Sequence, residues 1–133
     1  MEDITQKKFF KITNKEENHK GYQYKDGLNV LDKPFEEEGS CVPGGLYFTD
    51  AEHIFEFLAY GIYLREISLP FDDKDLKYVK DKENKWRANK IILGKRYDLC
   101  DMKTFKYLIS EGANIEAKNN CAVKLDGHQI MGI

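Results

Sequence analysis

Residues 101–112, Asp-Met-Lys-Thr-Phe-Lys-Tyr-Leu-Ile-Ser-Glu-Gly, spell an amphipathic helix with both of its ends marked. Asp101 can accept a hydrogen bond from the open amides of the first turn. Phe105, Leu108 and Ile109 fall on one face at i, i+3 and i+4, and Gly112 stands where a left-handed C-terminal cap is needed. A single helix with one apolar face gains its stability by packing that face on something else. Nine residues follow Lys124, so the expected docking surface within the chain is the domain that precedes the helix.

That preceding stretch reads mainly as short strands. Lys8–Thr13 is an aromatic and β-branched run suited to a strand. Asn14 to Lys20 is charged and reads as a loop. Tyr22 to Lys25 alternates with period two, Asp26-Gly27 is a tight-turn dipeptide, and Leu28 to Leu31 resumes an apolar run, which predicts a β-hairpin. Residues 32–45, with Pro34, Pro43 and several glycines in a polar setting, form the longest stretch without regular structure, and loops of that length are often functional. Leu46 to Phe48 follows as a buried strand. Thr49-Asp-Ala-Glu52 fits a capping box, so a helix is expected to start there, carry Ile54, Phe57 and Leu58 inward, and stop at Gly61. Ile62 to Leu69 alternates and ends at Pro70. Leu76 to Val79 is a weaker strand, and Trp86 with Ile91, Ile92 and Leu93 should join the core. The resulting fold class is α+β: a small mixed sheet of short strands over residues 1–98 with one internal helix, and a segment 99–133 carrying the appended C-terminal helix packed on it.

With 133 residues the chain has room for one core. The formal charge of -2 supplies no global field to draw in nucleic acid or an anionic membrane. The charges are unevenly placed: residues 26–71 are acidic, residues 72–96 basic. Cys41, Cys100 and Cys121 form no close pair, which favours reduced thiols and an intracellular protein, and no apolar run approaches a membrane span.

Several blocks occur in a fixed order: Gly27-Leu-Asn-Val30, Gly39-Ser-Cys41, Pro43-Gly-Gly-Leu-Tyr-Phe-Thr49, Leu64-Arg-Glu-Ile-Ser-Leu-Pro70 and Lys85-Trp-Arg-Ala-Asn-Lys-Ile-Ile-Leu93. Together with Tyr107-Leu-Ile-Ser-Glu-Gly-Ala-Asn-Ile115 and Lys118-Asn-Asn-Cys-Ala-Val123, they resemble the N-terminal domain and first repeat of mimivirus-type ankyrin proteins of giant DNA viruses. The resemblance runs from about Tyr22 to Val123. It implies that residues 101–124 are the second helix of one ankyrin repeat and the turn of a truncated next one, since no second copy of the roughly 33-residue pattern appears. It also implies a viral protein of the host cytoplasm that binds other proteins, and it brings no catalytic residue set.

The residues themselves offer four kinds of chemistry. Lys77, Lys80, Lys82, Lys85 and Arg87 beside Trp86 could neutralise phosphates next to an aromatic platform, although the interleaved acids favour an ordinary solvated surface. Gly44 to Phe48 resembles faintly the Gly-(Ile/Leu)-Tyr-Phe element of ADP-ribosyltransferases, which implies a degenerate NAD-handling site; glycines for turns and aromatics for core is the stronger reading. Cys41 and His53 can be imagined as a nucleophile and base, but an acidic neighbourhood does not activate a thiol, so a half-buried structural cysteine is expected. His19, His53, His128 and the cysteines are too scattered for a metal site.

The sequence is therefore read as a non-catalytic protein-interaction or scaffold module without cofactor. Phe105, Leu108 and Ile109 form its partner-binding face, and the partner is a host or viral protein or a second copy of the chain. A nucleic-acid-binding module is the alternative, a degenerate enzyme the third reading, and no membrane contact is expected.

Overall fold

A computed structural model describes residues 4–114. The truncated repeat turn read after Asn114, with Cys121 and His128, lies outside those residues. The strands are β1 (Phe9–Thr13), β2 (Asn18–His19), β3 (Tyr22–Gln23), β4 (Gly27–Val30), β5 (Leu46–Asp50), β6 (Tyr63–Ser68), β7 (Tyr78–Asp81), β8 (Lys85–Ala88) and β9 (Lys90–Asp98). One α-helix, α1 (Met102–Ser110), follows them.

Seven strands make one sheet in the order β4-β9-β6-β1-β5-β8-β7, and β2 with β3 forms a separate ribbon. Every pairing is antiparallel. This corrects the expected α+β fold with a small mixed sheet: the described chain is a large antiparallel sheet with a single α-helix. The expected internal helix is a 3-10 helix, Ile54–Tyr60, with no side-chain cap. The reason lies in the residues assigned to the capping box. Thr49 and Asp50 stay in β5, and the Thr49 hydroxyl donates to the Asn84 carbonyl instead of capping a helix. Gly61 then passes so close to the Thr13 carbonyl that a Cβ would sit 2.1 Å from its oxygen, so the segment must be short and tight.

The expected hairpin is also corrected. Tyr22 pairs with His19 and Gln23 with Asn18, across a turn at Lys20-Gly21 where both residues have positive φ, 52° and 88°. That is the backbone that two-residue hairpin loops favour. β4 pairs instead with the distant β9, Leu28 opposite Ile92. The polar Asn18-His19 pair gives no strand signal, and the alternation in 22–31 cannot show which partner each half will choose.

β8 and β9 are separated by one residue, Asn89, yet lie four places apart in the sheet. A sheet can satisfy both facts only by folding over at Asn89, with strands turning a corner between two packed layers. Asn89 is held on every side: its carbonyl accepts from Leu31 N, its amide donates to Lys77 O, its Oδ1 accepts from Lys77 N, and its Nδ2 donates to Asp75 O. The two free edges thus meet at one residue.

The folding-over creates two apolar clusters that share β1. Phe9, Tyr24, Leu46, Phe48, Ile67, Trp86, Ala88, Ile91 and Leu93 fill the inside. Phe10, Ile12 and Leu64 face the other way, where Ile54, Phe55 and Leu58 of the 3-10 helix and Phe105 and Leu108 of α1 cover them. α1 is capped as its sequence requires: the Asp101 side chain accepts from Lys103 N, and Gly112 has φ 104°. Burying Phe105 and Leu108 contributes about 2–3 kcal/mol each.

Candidate functional site

Residues 32–45 lie over the outer face of β5, β8 and β7, and a buried ion pair holds them there. Strand alternation puts Trp86 and Ala88 inside and Arg87 on the opposite face, where it is 1% exposed. Arg87 pairs with Asp81 at 3.0 Å, and its guanidinium donates to the carbonyls of Glu36, Glu38 and Gly39 at 2.8, 3.2 and 3.2 Å. Asp81 in turn accepts from the Ser40 hydroxyl and the Cys41 amide, both at 2.9 Å. Burial alone would raise the Asp81 carboxyl, but these bonds hold it below its ordinary value. Gly45 lies against Arg87, where a Cβ would come within 2.6 Å of the side chain, and Gly44 is equally tight against Glu36 and the Pro34 carbonyl. The two glycines serve this close approach. With its carbonyls turned inward, the loop presents Glu37 and Glu38 to solvent.

At the end of the loop Cys41 has φ 57° and is exposed, so the expected half-buried cysteine is not what forms. Lys85 Nζ lies 2.9 Å from its sulfur, and the Lys85 and Ser40 hydrogen bonds lower the thiol pKa. The acidic neighbourhood read from the local sequence is overridden by a lysine 44 positions away. His53 is not its partner: His53 Nδ1 lies 2.7 Å from Asp50, whose other oxygen takes Lys7 at 3.3 Å. Asp50, Glu52 and His53 form the one group of three metal-type ligands among the described residues.

The residues of the nucleic-acid reading separate. Trp86 and Arg87 are buried, Lys85 bonds Cys41, and Lys77, Lys80 and Lys82 remain on the surface. Trp86 has Lys7 and Lys80 over its ring at 5.9 and 4.9 Å, so bases have no platform there. Of the α1 trio, Phe105 and Leu108 are buried against the sheet, and Ile109 is half-buried at the margin of the same cluster. Tyr97 and Tyr107 latch the helix down through Glu66 Oε2, at 2.8 and 2.7 Å.

A second buried pair carries no signal in local sequence. Arg65, 5% exposed on β6, donates from Nε and Nη2 to the two carboxylate oxygens of Glu17, each at 2.7 Å, in a forked geometry. Thr13 adds a bond to Glu17 at 2.8 Å, and Arg96 approaches at 3.4 Å. Burial raises the Glu17 carboxyl, and the bonds from Arg65 and Thr13 bring it below its ordinary value. Glu17 has φ 53°, a conformation that side chains rarely adopt. Nearby, burial and the charge of Lys11 push His19 down to about 4, and burial lowers Lys11 to about 7.

Two proteins of Acanthamoeba polyphaga mimivirus named as ankyrin repeat proteins are similar to this chain. One is 47% identical over 122 residues, covering 90% of this chain and 61% of the relative. The other is 48% identical over 126 residues, covering 86% and 41%. A third mimivirus protein, named as uncharacterized, is 45% identical over 132 residues, covering 95% of this chain and 96% of the relative. The chain belongs to this mimivirus ankyrin-type family. It spans less than two thirds of the first two relatives and nearly all of the third. No family model and no solved structure matches it. Among the described residues, no helix is long and apolar enough to cross a membrane.

Proposed function

We propose that the chain is a non-catalytic protein-interaction module of the host cytoplasm. In it a β-sheet domain serves as the end cap on which an ankyrin-like helix is seated. The supporting observation is the burial of Phe105 and Leu108 in one cluster with Phe10, Ile12, Phe55 and Leu64. Repeat arrays need a terminal element that covers the apolar face of the outermost repeat and shows water a polar outside. The sheet does the first with this cluster. It does the second with Glu37, Glu38, Lys77, Lys80 and Lys82, all of them exposed. In the longer relatives, this end would face away from the repeats that their names announce. The outer edge of α1, with Met102 67% exposed and Ile109 half-buried, is where a neighbouring helix or a partner would lie.

Affinity capture from infected cells, with nuclease present, tests the reading against a Met102→Glu, Ile109→Lys double variant. Specific proteins retained by the native chain and lost by the variant would support it. Capture that depends on nucleic acid, or that the variant leaves unchanged, would refute it. Buried Phe105 and Leu108 are unsuitable for this test, because charges there would unfold the domain.

A further inference from the structure

We propose that the pocket beside the β6–β9 bulge is a carboxylate-binding site, and that Asp26 occupies it as a built-in stand-in for an acidic side chain of a protein partner. The pocket is lined by Asp26, Arg65, Leu93, Gly94, Lys95 and Arg96. It shares no residue with α1 or with the loop over Arg87, so it stands or falls separately from the reading above.

Most of the Arg65 donors are committed inside the fold. Nε and Nη2 are fixed on Glu17, and one Nη1 proton goes to the Gly94 carbonyl at 2.7 Å. Nη1 also lies 2.7 Å from Asp26 Oδ1, which forms an ion pair with it at the pocket. Arg65 cannot withdraw, since its side chain is 6% exposed and held from behind. Asp26 can, because its side chain is 85% exposed. A buried, preset donor facing an almost wholly solvated acceptor is an arrangement in which the acceptor is replaceable.

The turn carrying Asp26 also does not depend on this bond. Asn29, 1% exposed, accepts from Lys25 N and donates to the carbonyls of Lys25 and Gly27, closing the turn through its own side chain. Asp26 is thus free to swing out while the backbone stays in place.

Charge selects the ligand. Arg65 and Arg96 stand against Glu17 and Asp26, two against two, and the Lys95 amine is drawn to the Tyr97 ring 4.9 Å away. Releasing Asp26 leaves room for one negative charge and one acceptor oxygen, which a carboxylate supplies. Lys95 adds a third positive charge at the rim, so inorganic phosphate is the competing anion from which the test must separate a carboxylate. The side chain of Arg96, 48% exposed and lying over the Tyr63 ring at 4.3 Å, borders the entrance and can take the second oxygen.

The test titrates the full chain with the peptide acetyl-Glu-Glu-Glu-amide and follows amide and arginine side-chain signals by NMR. Acetyl-Gln-Gln-Gln-amide and inorganic phosphate serve as comparison probes. The glutamate peptide should shift Gly27, Gly94 and the Arg65 Nε–H. Asp26→Ala, which removes the competitor, should tighten binding about threefold to fivefold, the scale of an exposed ion pair. Arg96→Ala should weaken it by a similar factor. The glutamine peptide should be silent and phosphate weaker than the glutamate peptide. Unmoved signals in both the native chain and Asp26→Ala would overturn the proposal, as would binding that Asp26→Ala does not tighten or phosphate binding as tight as the peptide's.

Discussion

Arg87 and Arg65 are both buried arginines forked into the sheet beside a buried carboxylate, yet they hold their surroundings differently. Around Arg87, every named donor ends on Asp81 or on a carbonyl of the 32–45 loop, so the pair is sealed beneath a cover that it secures. Around Arg65, the guanidinium also meets Asp26 at the surface in an ion pair. The first arrangement is a clasp, the second a socket with a removable occupant. A buried ion pair is thus not informative by itself; what else the guanidinium meets separates scaffolding from recognition.

Four measurements bear on that contrast. The largest effect should come from Arg87→Met, which strands Asp81 and frees the loop carbonyls. We expect a loss of about 4 kcal/mol in denaturant unfolding and rapid proteolysis between residues 34 and 43. Full protease resistance would refute the clasp. Glu17→Gln removes the charge that Arg65 faces but leaves hydrogen-bonding atoms and Asp26 in place, so a smaller loss of about 3 kcal/mol is expected. A cost greater than that of Arg87→Met would reverse the comparison.

Acid should separate the two regions next. His19 has a folded pKa of about 4 against an ordinary 6.5, so the unfolded chain binds its proton more readily and stability falls as pH drops from 6.5 towards 4. Glu17 is depressed below 4.5 and Asp81 below 3.8; their contributions are present above those values and fade at lower pH. The β2–β3 ribbon should therefore lose hydrogen-exchange protection before residues 36–41 do as pH falls, intrinsic rates being corrected. Loosening of the loop first would contradict this order. The smallest effect concerns reactivity. At neutral pH Cys41, lowered by its Lys85 and Ser40 hydrogen bonds, should alkylate faster than Cys100, raised by burial. Lys85→Met should slow Cys41 severalfold and leave Cys100 unchanged, as mass spectrometry of iodoacetamide adducts would show.

Local pattern identified β1, β5, β6 and the capped helix α1 because each rests on neighbours within a few positions: alternation, a terminal aspartate, a glycine after the last turn. It also placed Trp86 and Leu93 in the core. It did not reveal how strands were joined. Nothing near Leu28 indicates Ile92 as its partner, and Asn89 looks like any polar residue in an apolar run until both edges are seen to converge on it. Charged residues misled for the same reason. Arg87 counted as one of a basic series, although strand alternation beside Trp86 already placed it on the opposite face from the interior. Glu17 and Arg65, 48 positions apart, carried no mutual mark.

The place of β9 in the sheet has a consequence for synthesis. β9, the last strand among the described residues, lies between β4 and β6, so two early-made strands cannot become neighbours of a completed sheet until residues 90–98 insert between them. A chain emerging from the ribosome would hold β1, β5 and β6 together while the β4 edge waited open for its partner. Release of residues 90–110 then closes the β4 seam and brings in the helix that covers Phe10 and Ile12. Assembly of the described domain therefore ends with the seating of α1.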